Sequence, residues 1–318
     1  MPKLTVGDLD NVVAFSIIPF RKGKVDFAAH CKNITYLIQN SSLDAGRKRI
    51  IAIGGSSLLH HLTSEDQLRL AQVTGEQVNE DAWFISGILP TPPIQVARLV
   101  RKQMRLSRAP DAFLLLPLIG CYNPEGVYLE INRLCRTLGD ETDARFILYL
   151  RDKSLRDVYC RLTAQCEYII GIKIGTSLDD VKPVRKIVRE AKAVIWGIGD
   201  ICTQAARLGT RGHTSGTGLL SIRLSDLINN AQRKVDFSLA SEIEQNLREL
   251  EEIRFMEERA YNYSAVVKAL NLAGFTDVSA GDGGPFNAPP PAEVCKRLSV
   301  VVEQLSIYHN ARESEVTP

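Results

Sequence analysis

The sequence predicts a single (β/α)8 TIM barrel, an α/β fold, with additional C-terminal helices. Three observations carry that expectation. Short apolar runs alternate with longer amphipathic stretches, and the alternation repeats eight times in about 220 residues, the size of a closed barrel. The runs are rich in β-branched, leucine or aromatic residues and bounded by Gly, Pro or charge, as in strands buried on both faces. No glycine-rich phosphate loop follows the first run, which ends in Ile18-Pro19-Phe20. That disfavours the doubly wound open sheet, the main alternative.

In chain order, a strand over 12–18 leads to a helix over 26–40. That helix gathers Phe27, His30, Cys31, Ile34, Leu37 and Ile38 on one face. A strand over 50–54 precedes a helix over 64–78, which Ser64-x-x-Gln67 opens as a capping box. Strands over 83–88, 113–118 and 146–150 alternate with helices over 92–106, 124–138 and 154–166. The first two of these helices carry proline in the first turn. A strand over 168–174 leads to a weaker helix over 177–191, where Pro183 interrupts the hydrogen-bond ladder. Strands over 194–198 and, less distinctly, 212–218 complete the set. Helical patterns alone follow, over 221–233, 238–259, 264–272 and 292–310, with a loop around Gly281 to Pro285 and Pro289 to Pro291. Residues 1–220 are expected to form the barrel, and 221–318 a helical extension packed on it.

The chain has 318 residues, 45% hydrophobic, enough for a large core, and a net charge of +2 from 39 basic and 37 acidic residues. So balanced a charge makes no case for nucleic acid or an anionic membrane. No apolar run approaches the roughly 20 residues of a membrane helix, and residues 1–10 lack a signal pattern. A cytoplasmic setting is expected. The seven cysteines (Cys31, Cys121, Cys135, Cys160, Cys166, Cys202 and Cys295) are scattered without a C-x-x-C pair, as ordinary buried thiols are. The five histidines show no ligand spacing, so no metal or cofactor is expected.

In a barrel, reactive groups sit at the C-terminal strand ends. Lys173 stands out in Tyr168-Ile-Ile-Gly-Ile-Lys-Ile174, because an ammonium in a β-branched run is costly to desolvate. Alternation puts Ile169, Gly171 and Lys173 on one face and the isoleucines at 170, 172 and 174 on the other, so Lys173 points into the barrel and Gly171 leaves it room. Burial favours the neutral, nucleophilic amine, which can condense with a ketone. A lysine reaching to water from a strand end fits the pattern equally well.

Tyr149 lies inward on the preceding strand with Ile147 and Arg151. Neighbouring strands roughly 4.8 Å apart let it approach Lys173 and relay protons, unless it only packs. The loop Gly54-Gly55-Ser56-Ser57 exposes backbone N–H groups and hydroxyls suited to a carboxylate, although such clusters are commonly plain turns. Arg151 is a candidate substrate clamp, or else an ion-pair partner of Asp152. Thr214 and Ser215, with His213, Gly197 and Asp200, are candidate lining residues.

Together these residues resemble the dihydrodipicolinate synthase / N-acetylneuraminate lyase superfamily of Schiff-base aldolases and dehydratases, from about Val12 to Leu272. Ser16-Ile-Ile-Pro-Phe20 with Gly23 and Val25-Asp26 is similar to the family's "TPF…G.ID" opening. Ile51 to Ser57, with Leu62-Thr63 and Glu65, is similar to "GTTGE…LT.EE". Tyr149 falls at the proton-shuttling tyrosine, and Ile169-Ile-Gly-Ile-Lys173 resembles the imine-lysine strand. Leu208-Gly209, Gly212 and Ser215 fit the eighth strand. The departures are as specific. Gly55-Ser56 replaces the threonine pair, Ser57 a glycine, Leu58 the glutamate, and Leu118-Ile119 the "YY" pair after strand four. Leu150-Arg151-Asp152 replaces "NVP", and Ser154 stands where synthases keep an arginine.

The resemblance implies a class I lyase, aldolase or dehydratase, for a 2-oxo acid such as a 2-keto-3-deoxy sugar acid, and argues against dihydrodipicolinate synthase itself. Lys173 and Tyr149 would be catalytic; Gly55, Ser56, Ser57, Arg151, Thr214 and Ser215 would bind substrate. A homotetramer built as a dimer of dimers is expected by resemblance. The alternative is a non-catalytic 2-oxo-acid-binding relative.

Overall fold

Eight short strands hydrogen-bond in parallel and close on themselves. They are β1 (Val12–Phe15), β2 (Arg49–Ile53), β3 (Ala82–Ile88), β4 (Ala112–Leu115), β5 (Phe146–Leu150), β6 (Ile169–Ile174), β7 (Ala193–Trp196) and β8 (His213–Ser215). Each pairs with the next, and β8 returns to β1 with Val13 opposite Thr214. The computed structural model describes residues 3–309 apart from 45, 56, 57 and 121. Every barrel strand is buried along its length, because side chains fill the interior while helices cover the outside.

The helices are α1 (Phe27–Gln39), α2 (Ser64–Val78), α3 (Pro93–Met104), α4 (Pro124–Thr142), α5 (Arg156–Gln165), α6 (Val181–Val188), α7 (Thr203–Arg207), α8 (Gly218–Arg233), α9 (Phe237–Arg259), α10 (Ser264–Ala273) and α11 (Ala292–Leu305). Their starts follow capping chemistry. Asp26 accepts from the Ala29 N–H at 3.0 Å, and Asn123 from the Gly126 N–H at 2.8 Å. For α2 the cap is Thr63 rather than Ser64, since its hydroxyl accepts from the Asp66 N–H at 3.1 Å. Pro183 does not weaken α6: the helix begins at Val181, so the missing N–H falls in the first turn, where no intrahelical partner exists. The short α7 was not foreseen. Glu244 caps it, accepting from the Cys202 N–H at 2.7 Å and the Thr203 hydroxyl at 2.5 Å.

Helix α8 follows β8 and packs on β1 and α1, and α9 packs on α8 and α7. At the start of β2, Arg49 and Asp226 of α8 form a fully buried ion pair, with Arg49 Nη2 donating to Oδ2 at 2.5 Å. At the opposite, C-terminal end of the strands, the Tyr263 hydroxyl donates to the Ile18 carbonyl at 2.9 Å, and Phe20 pairs with Gly281. The chain after α9 therefore reaches over the barrel mouth. Six cysteines are free thiols, and Cys121 lies outside the described residues. Among the described residues no helix is long and apolar enough to cross a membrane.

Candidate active site

A cavity of about 510 Å³ opens at the C-terminal ends of the strands, and Lys173, Tyr149, Arg151, Gly55 and Thr214 all line it. Lys173 and Tyr149 stand directly opposite each other in the β5–β6 register. The Lys173 Nζ lies 4.2 Å from the centroid of the Tyr149 ring and 4.4 Å from that of Phe15. Both residues are nearly sealed from solvent, Lys173 at 7% and Tyr149 at 8% exposure. Among the described residues no acid forms an ion pair with Lys173, and the faces of two aromatic rings flank its amine. Burial lowers its pKa; Tyr149 opposes this, while Arg259, Arg151 and Arg254 add to it. The shift is in the direction of the neutral amine.

Two glycines make the room. A Cβ at Gly197 would come within 2.7 Å of Lys173 Cε, and one at Gly175 within 2.4 Å of Tyr149 Cε2. The space beside Lys173 is thus owed to Gly197 on the neighbouring segment, not to Gly171, whose missing side chain instead clears Ala193.

Burial alone would raise the Tyr149 phenol, but the cations Lys173, Arg151 and Arg259 outweigh it and bring it to about 8. Lys173 contributes most of the three, and Arg151 and Arg259 act in the same direction. At that value both phenol and phenolate are present near neutrality, as a group that gives and takes protons requires.

The expectations for the remaining residues divide. Gly55 lines the cavity with open space where a side chain would be, whereas Ser56 and Ser57 lie outside the described residues. Arg151 lines the mouth, and Asp152 instead accepts from the Tyr122 hydroxyl at 2.5 Å and the Ser154 hydroxyl at 2.7 Å. Thr214 faces inward. Ser215, next along the strand, faces outward and is not placed to touch an occupant of the cavity. Its hydroxyl donates to Asp200 at 2.9 Å, alongside Thr217 at 2.9 Å and the His213 ring at 3.2 Å. Burial would raise the Asp200 carboxyl, but the hydrogen bond and charge of His213 keep it low.

Sequence reading missed Arg254 and Arg259. Helix α9 breaks at Met256, Glu257 and Glu258, and φ is +49° at Glu257, +56° at Glu258 and +78° at Arg259. Three consecutive non-glycine residues in the left-handed region cost on the order of 1–2 kcal/mol each. The turn carries Arg259 to the cavity wall, which Arg254, on the regular helix before the break, also lines. Arg254 donates through its two terminal nitrogens to Glu251 at 2.7 and 2.8 Å and to Asn262 at 2.7 Å, while its buried Nε has no partner among the described residues. Arg259 donates to the Gly175 carbonyl at 3.1 Å and acts on the Tyr149 hydroxyl. One signal was legible: Leu247, Leu250, Glu251 and Arg254 share the inward helical stripe, so a charged pair sits where apolar residues belong. Among the described residues, no group of three His, Cys, Asp or Glu side chains could hold a metal ion.

A sequence model of the dihydrodipicolinate synthetase family matches residues 118–281. No curated protein matches the chain's sequence. Solved structures do match its fold. Dihydrodipicolinate synthase from Oceanobacillus iheyensis superposes with a TM-score of 0.81 at 19% identity, covering 94% of this chain and 97% of its own. The Thermotoga maritima enzyme gives 0.80 at 18% identity, covering 93% and 98%. The chloride-inhibited Acinetobacter baumannii enzyme, complexed with pyruvate, gives 0.78 at 20% identity, covering 93% and 98%.

Proposed function

Because the chain belongs to the dihydrodipicolinate synthetase family, we propose that it is a Schiff-base-forming lyase acting on a 2-oxo acid, an aldolase or dehydratase rather than dihydrodipicolinate synthase itself. One observation carries this reading: an amine without an acid partner among the described residues, buried against the Tyr149 ring and opening onto a ligand-sized cavity. The neutral Lys173 Nζ attacks the C2 carbonyl, and the carbinolamine loses water to give an iminium. In a retro-aldol step the C3–C4 bond breaks and its electron pair moves into the iminium, forming an enamine. In a dehydration the C3 proton leaves first, and the enamine then expels hydroxide from C4. Tyr149 accepts and returns the protons. Gly55, Ser56 and Ser57 hold the substrate carboxylate through backbone N–H groups and hydroxyls. A cytoplasmic setting and a homotetramer belong to the same proposal.

Borohydride reduction with pyruvate and a panel of 2-keto-3-deoxy sugar acids, read by intact mass, tests it. A stable adduct on Lys173 that is lost in Lys173→Ala is expected; no adduct across the panel overturns the reading. A second reading, a binding protein without turnover, has its own support. Leu118 and Ile119 line the cavity, and Tyr149 and Thr214 are the only side-chain hydroxyls among its described lining residues. Tight 2-oxo acid binding that survives Lys173→Ala, with no product from the wild type, would favour it.

A further inference from the structure

Three arginines, Arg151, Arg254 and Arg259, line the cavity together with Lys173. Arg151 and Arg259 both line it, and both act on the Tyr149 hydroxyl. Neither forms an ion pair with any described carboxylate. Arg259 is half-buried, and burial with the charge of Arg151 lowers its pKa. Arg254 does not share this condition, since Glu251 and Asn262 occupy it. The acid on the lining, Glu258, is exposed and pairs with neither guanidinium.

Two like charges facing one cavity, with the Tyr149 hydroxyl between them and no described carboxylate paired to either, are poised for an anion, which planar guanidinium forks receive with directed hydrogen bonds. The strained turn through Glu257 and Glu258 points the same way, because backbone strain is retained where it places a functional group. Size agrees as well. A three-carbon 2-oxo acid has six heavy atoms, a minor part of about 510 Å³, when one water accounts for roughly 30 Å³ of liquid.

We propose that the preferred substrate is a 2-oxo acid bearing a second oxyanion at its far end, received by Arg151 and Arg259 at the barrel mouth. This deepens the imine reading and rests on it for the position of the 2-oxo group. The first carboxylate goes to the Gly55 loop, the ketone carbon to Lys173, and the distal anion to the arginine pair. A carboxylate and a phosphonate share this recognition chemistry.

The test compares chain-matched pairs by calorimetric titration: 2-oxoglutarate against 2-oxopentanoate, 2-oxoadipate against 2-oxohexanoate, and 4-phosphono-2-oxobutanoate as the tetrahedral probe. The wild type is expected to bind a dianion roughly tenfold or more tighter than its matched monoanion. In Arg151→Gln and in Arg259→Gln the ratio should fall toward one. Arg151 is exposed, so its substitution keeps the test open even where Arg259→Gln fails to fold. Preference for the phosphonate or for a dicarboxylate identifies the anion, and either supports the proposal. No discrimination in the wild type overturns it. So do variants that weaken both members of a pair equally, since the arginines would then hold the 2-oxo carboxylate itself. Borohydride trapping alongside separates the two readings. Adducts without dianion preference sink this inference alone, and dianion preference without adducts sinks the imine alone.

Discussion

Replacing Arg259 by glutamine removes one of the cations that hold the Tyr149 phenol down. The phenol moves from 10.0 to about 8, a shift of roughly 2.7 kcal/mol in favour of phenolate. Burial opposes that shift, so the cations together supply more than this net figure. Among the cations Lys173 contributes most, then Arg151, then Arg259, so losing Arg259 should raise the phenol by roughly half a unit. Tyrosinate absorbance followed against pH reads this directly. The wild type should show one early-titrating tyrosine near pH 8 that Tyr149→Phe lacks, and Arg259→Gln should move that component upward by roughly half a unit. A circular dichroism spectrum like the wild type's confirms that the barrel is intact. A titration of Arg259→Gln that superposes on the wild type refutes the electrostatic account, and so does an early component that survives Tyr149→Phe.

Three further outcomes follow from the geometry. Gly175→Ala puts a methyl within 2.4 Å of Tyr149 Cε2, so imine trapping should slow about as much as in Tyr149→Phe, and the double variant should be little worse. Additive losses would mean that the two residues act separately. Asp226→Asn leaves the Arg49 charge buried without its partner and should destabilise the protein by roughly 3 kcal/mol or more in urea unfolding; a change under about 1 kcal/mol would contradict this. Burial lowers His30 from 6.5 to about 4, and its Nε2–H donates to Thr74 Oγ1 at 2.8 Å. Its folded pKa lies below the unfolded one, so stability is lost as pH falls from 6.5 and the loss is complete near pH 4. The sum is roughly 3 kcal/mol. In His30→Gln that component of the acid sensitivity should disappear, and an unchanged pH dependence would count against it.

Much of the fold was legible because a barrel's pattern is local. Runs such as Phe146–Leu150 and Ile169–Ile174 carry their own marks of double-sided burial, and amphipathic stretches between them carry the 3.6-residue period. Errors fell where local signals compete. Thr63 and Ser64 are both plausible caps, and Pro183 breaks a helix only if the helix starts well before it. The facing pair of Tyr149 and Lys173 was legible too, since adjacent parallel strands and a period of two leave few alternatives.

The amino-acid sequence by itself determined the alternation of elements, the inward direction of Lys173 and Tyr149, and the family to which the chain belongs. Only the tertiary structure decided what surrounds that amine. Gly197 rather than Gly171 gives it space, Ser215 turns outward to Asp200, and the end of a helix some eighty residues further on brings Arg254 and Arg259 to the cavity. The physical reason is one of range. Periodicity and capping act over a few residues, whereas desolvation, charge balance and free volume depend on neighbours that closure of the barrel brings together.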